Sequence, residues 1–134
     1  MEASFCFRGA RSDLHTARRY LEIGDGTQWV ADHLCTGLLW AMEGWLITRG
    51  YKISHGEGWH STRLAFHEHS STDLWSKVSA CSAEASYLGS EFLGIDDGLP
   101  PMPMHEWKAR ILVCLEKTED IVEQLINDAK SLAT

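Results

Sequence analysis

The chain has 134 residues, 44% of them hydrophobic and 23% charged, with a mean hydropathy of -0.21. That combination describes one globular domain over residues 1–134 and excludes a disordered chain, a collagen and a low-complexity scaffold. Twelve basic and 19 acidic side chains give a formal net charge of -7, which speaks against broad nucleic-acid binding, because cation–phosphate contacts supply most of that affinity.

The first segment is predicted as a helix from about Ser12 to Ile23, with Ser12 or Asp13 as cap and Leu14, Ala17 and Leu21 on one face. Gly24 and Gly26 end it. The ten residues before it either extend the helix or cross the end of the bundle. Arg8, Arg11, Arg18 and Arg19 make this end locally basic. A solvated charged face is the ordinary explanation, and a local RNA contact is the functional one.

The second segment is predicted as a helix from about Thr27 to Arg49, on the order of 35 Å long. Val30, Leu34, Leu38, Ala41 and Trp45 repeat at helical spacing, and Gly50 stops it. Its second half, GLLWAMEGWLI, is apolar on every side except at Glu43. Such a helix is central in its bundle or faces a second subunit.

An irregular stretch follows from Tyr51 to Trp59, then a short helix from Ser61 to His69. The third long segment runs from Asp73 to Phe92. Its apolar stripe, Leu74, Val78, Cys81, Ala85, Leu88 and Phe92, alternates spacings of four and three like a coiled-coil seam. Residues Ile95 to Met104 hold all three prolines and read as a loop. The last segment runs from about His105 to Ser131, with Trp107, Ile111, Cys114, Thr118, Ile121, Leu125, Ala129 and Leu132 as its stripe. The fold predicted is therefore all-α, an up-and-down bundle of about four helices.

Cys6, Cys35, Cys81 and Cys114 form no CxxC pair, so they read as reduced core thiols of a cytoplasmic protein rather than a zinc site. The start MEASFCFRGARSD lacks the apolar core of a signal peptide, and the apolar run from Gly37 to Ile47 is too short for a membrane span. No cofactor motif is present: there is no Walker loop, no GxGxxG after a strand and no GxSxG.

Three groups of residues could carry chemistry. Glu43 has Leu39, Trp40, Leu46 and Ile47 as helical neighbours, so its carboxylate must be paired, protonated or at an edge. It is either a structural carboxylate or a site acid that orients Arg63 or His67. His55, His60, His67 and His69 cluster within fifteen residues, as ligand-binding candidates. Glu57 and His60 have the Glu-x-x-His spacing of di-iron bundles. Such a site needs two copies and two more carboxylates on facing helices, and only one copy is present, so no metal is expected there. Finally, the six tryptophans could stack a ring ligand, though on helical stripes they more often fill a core or an interface.

The order of these features resembles the HEPN superfamily (higher eukaryotes and prokaryotes nucleotide-binding) over most of residues 12–130. The opening helix is similar to ARRYLEIGD here, and the long second helix, with its small residues, mid-helix acid and closing glycine, to WVADHLCTGLLWAMEGWLITRG. A His-containing turn matches SHGEGWHS, and a final amphipathic helix matches WKARILVCLEKTEDIVEQLI. The resemblance implies a dimeric helical bundle. Its ribonuclease and toxin members carry an Arg followed after about four to six residues by a His. Arg63 and His69 fit, but so do Arg49 with His55 and Arg8 with His15, while the start of the last helix has His105 before Arg110, the reverse order.

The leading expectation is thus a non-catalytic HEPN-like module that forms a homodimer through the second helix and binds a nucleotide or a protein partner. The second is an RNA-cleaving enzyme using Arg63, His69 and Glu43. The third is a metal-binding four-helix bundle.

Overall fold

A computed structural model of the chain describes residues 2–52, 59–93 and 102–132. These fold into helices only: α1 (Ala3–Ile23), a single 3-10 turn (Thr27–Trp29), α2 (Val30–Thr48), α3 (Trp59–His69), α4 (Thr72–Leu93) and α5 (Met104–Ser131). The all-α expectation is met. Among the described residues, α1, α2, α4 and α5 correspond to the four long segments and α3 to the short helix expected over Ser61–His69, which begins two residues earlier.

The first helix begins nine residues earlier than predicted. Cys6, Ala10, Leu14 and Ala17 are all buried, so the stripe continues upstream of Ser12 at helical spacing. Ser12 and Asp13 are therefore mid-helix, and Asp13 accepts a 2.8 Å hydrogen bond from His33 Nδ1. Gly24 closes α1 in the left-handed conformation at φ 78°, its N–H bonding Tyr20 O. The second helix starts late. Thr27–Trp29 is a 3-10 turn, which leaves 19 residues of α-helix, about 28 Å rather than 35 Å. Leu132, expected on the core stripe of the last segment, lies beyond α5 and is exposed.

Neighbouring helices run antiparallel, as their contacts show. Along α1 and α2, Cys6 meets Glu43 and Asp13 meets His33. Along α2 and α4, Ala31 lies by Gly89 and Cys35 by Ser86. Along α4 and α5, the Trp107 indole N–H donates to Leu88 O, and Arg110 reaches Glu84. Arg11 and Arg18 of α1 each grip a carboxylate of α5, Glu123 and Glu119, with two donors. That two-point fork geometry fixes orientation as well as charge.

α2 packs against α1, α3, α4 and α5. Twelve of its 19 residues are buried, Leu34, Leu38, Met42 and Leu46 among them. Its all-round apolar sequence is thereby accounted for within one chain, by central position. Close packing on α1 depends on glycine. A Cβ on Gly44 would lie 2.6 Å from Phe7 Cε1, inside van der Waals contact. No helix among the described residues is long and apolar enough to cross a membrane.

Candidate functional site

Glu43 faces the seam between α1 and α2 and is 1% exposed. The Cys6 thiol lies 3.8 Å from Glu43 Oε2 and donates to it. Burial, with the nearby carboxylate adding to it, pushes the Cys6 thiol up to about 11. Among the described residues no hydrogen bond or ion pair joins Glu43 to Arg63 or His67.

α3 buries Thr62 and Phe66 and turns His60, Arg63, Leu64, His67 and His69 towards solvent. The His67 ring stacks on Trp75 with centroids 4.3 Å apart, and the His69 ring stacks on Tyr51 at 3.9 Å. Arg63 is exposed on α3, and its charge slightly opposes the rise of the Cys35 thiol of α2. Six residues on a helix turn through about 600°, which sets Arg63 and His69 about 120° apart around α3. Among the described residues no hydrogen bond or ion pair joins any two of Arg63, His69 and Glu43. His60 stands exposed at the start of α3. His55 and Glu57 lie outside the described residues. Among the described residues, no group of three or more His, Cys, Asp or Glu side chains could hold a metal ion.

A cleft of about 290 Å³ lies between the start of α2 and the second half of α4, and Arg63 is not among the residues that line it. Its walls approach closely because they are small: Ala31, Ala85 and Gly89, where a Cβ on Gly89 would come 3.1 Å from Ala31. Its polar groups are Gln28, Asp32, Ser86 and Ser90. Trp29 lines the cleft with its side chain 52% exposed. The 3-10 turn, entered from Gly26 at φ 73°, carries that indole outward instead of into the core. Cys35 lies at the far end, 3.8 Å from the Ser86 hydroxyl. Its thiol is raised, by burial first and by the Asp32 charge, with Ser86 and Arg63 opposing. Trp29 and Cys35 are six residues apart, about 9 Å along the axis.

A larger cleft of about 690 Å³ lies between the start of α4 and the end of α5 and is strongly acidic. Its carboxylates are mostly engaged: Asp73 with Lys77, Glu123 with Arg11, and Asp128 with Arg49. Asp128 also accepts the Trp45 indole N–H at 2.8 Å, and Arg49 lies 3.6 Å over the Trp45 ring. This knot was not foreseen. The spacing of Trp45 and Arg49 puts them on one face, but Asp128 is 79 residues on from Arg49, a distance that helical periodicity cannot bridge. Nor was Trp29 separable by sequence from the five other tryptophans.

The basic N-terminal end is largely neutralised: Arg11, Arg18 and Arg19 each pair with a glutamate. The chain matches no known family model, no curated protein and no solved structure.

Proposed function

We propose that the chain is a non-catalytic, self-associating, HEPN-like binding module whose α2–α4 cleft takes a nucleoside monophosphate. The observation that carries the reading is an exposed indole lining a narrow cleft whose walls carry Asp32 and the polar side chains Gln28, Ser86 and Ser90. The base stacks on Trp29, since every base offers a π-face to an aromatic ring. Asp32 accepts from the ribose hydroxyls. Arg63, exposed on the neighbouring α3, is the cation proposed for a phosphate that projects beyond the cleft, a charge-assisted contact. The antiparallel order α1, α2, α4, α5, with α3 in the connection, supports the HEPN-like bundle. Four free thiols suit a reducing, cytoplasmic setting.

The strength of such a site is modest. A base stack contributes about 1–3 kcal/mol and a charged hydrogen bond about 1.5–3 kcal/mol. Their sum corresponds to a dissociation constant of tens of micromolar at best. Calorimetric titration with AMP, GMP, CMP and UMP tests it. Wild type binds at least one of them, Trp29→Ala binds none, and Arg63→Ala loses monophosphate affinity down to that of the bare nucleoside. Failure of all four nucleotides to bind at millimolar concentration refutes the assignment.

A further inference from the structure

We infer that the first half of α5 is a self-association face on which a second copy packs antiparallel, about a two-fold axis at Leu112. The inference rests on the reading of the chain as a self-associating module and is independent of the ligand cleft.

The inner stripe of α5, from Trp107 to Ala129, is buried. Its outer side changes character along the helix. From Asp120 onward the exposed positions are polar: Glu123, Gln124, Asn127, Asp128 and Lys130. Between residues 109 and 113 they are apolar, with Leu112 41% and Val113 50% exposed beside Ala109. Next to Leu112 a shallow cleft of about 240 Å³ opens between α1 and α5, floored by Leu21 and Leu115. Apolar side chains grouped on one outward face offer a surface that a partner can cover.

The charges identify that partner. Lys108, Leu112 and Glu116 occupy one row of the helix at intervals of four. Both charged residues are exposed and neither forms a salt bridge among the described residues, although Glu116 adds its charge to that of Glu119 around Arg18, and Lys108 shares the cleft with Arg18 and Glu22. They stand about 12 Å apart along the axis, too far to pair with each other. A two-fold axis through Leu112 places Lys108 of each copy opposite Glu116 of the other, with the two Leu112 side chains between them. A parallel arrangement would set lysine on lysine and glutamate on glutamate. A row that complements itself only when reversed is what an isologous contact requires. The occupant is therefore a second copy of this chain, in place of the contact through α2, which its own chain already covers.

Sedimentation of the full chain across micromolar to submillimolar concentrations tests this. The mass should rise from the 15.1 kDa monomer towards twice that value. Leu112→Glu should stay monomeric at every concentration. Lys108→Glu and Glu116→Lys should each weaken the dimer at least tenfold, and the double variant should restore it, because the pairs are rebuilt with reversed sign. All three side chains are exposed, so circular dichroism should be unchanged. A wild-type chain that stays monomeric, a dimer indifferent to Leu112→Glu, or a double variant that fails to recover would each overturn the inference. Nucleotide titration of Leu112→Glu keeps the two proposals apart, since its cleft is untouched.

Discussion

Phe66→Ala should release one helix from an otherwise folded protein. Phe66 is fully buried, its ring 5.1 Å from that of Trp45 and 6.3 Å from that of Trp75. Thr62 is the only other buried residue of α3. A buried Phe→Ala change costs about 3–5 kcal/mol, and a domain of this size has about 5–15 kcal/mol in total. The loss falls on α3, which has eleven residues and is too short to persist alone in water. Elements held by few buried contacts open below the global unfolding free energy. Native-state hydrogen exchange should therefore show residues 59–69 stripped of protection while the buried cores of α2 and α5 keep most of theirs. Arg63 leaves with α3, so the variant should also bind a monophosphate no better than Arg63→Ala does. Unchanged protection across 59–69, or an equal collapse of protection everywhere, would refute the reasoning.

Gly44→Ala should destabilise by about 1 kcal/mol in urea unfolding, since an overpacking cost of about 1–3 kcal/mol against Phe7 outweighs the gain of about 1 kcal/mol in helix propensity; a more stable variant would show that the Phe7 ring moves aside freely. Burial lifts the thiols of Cys6 and Cys114 to about 11 and about 12, from an ordinary 9.0. The folded state thus keeps protons that the unfolded state gives up, so this stability is complete below pH 9 and falls as pH rises towards those values. Cys114→Ala should flatten that decline in the urea midpoint between pH 9 and 11, and an identical slope would refute the assignment. Purified protein should cleave no RNA, and cleavage that disappears in both Arg63→Ala and His69→Ala would reinstate the ribonuclease reading.

The long stripes were legible because Leu, Ile and Val at spacings of three and four leave a strong helical signal, as in Leu34, Leu38, Ile111 and Leu125. The start of α1 was not, because its buried face there is made of Cys6 and Ala10. Those side chains are small, and a serine–aspartate pair downstream looked like a cap. The apolar girdle of α2 left two outcomes open. Only the placement of α1, α3, α4 and α5 around it decides between them. Glu43 was legible as a buried acid, whereas its facing of Cys6 was not, since 37 residues separate them. The binding residues proposed above were the least visible. What distinguishes Trp29 is exposure on a 3-10 turn beside a cleft, while Arg63 is an exposed arginine that helical spacing alone does not single out.

The grip of α1 on α5 bears on the order in which the molecule assembles. α1 reaches α2 across 20 to 37 residues of chain but reaches α5 only across 101 to 112. Closing the longer loop costs roughly 1 kcal/mol more than closing the shorter one, since closure entropy grows only as the logarithm of length. Entropy alone therefore barely ranks the two events. Synthesis does rank them: a chain emerging from the ribosome can pair α1 with α2 long before Glu119 and Glu123 exist. Until then Arg11 and Arg18 stay solvated, and the arginine–glutamate forks act as a late latch on a hairpin already formed.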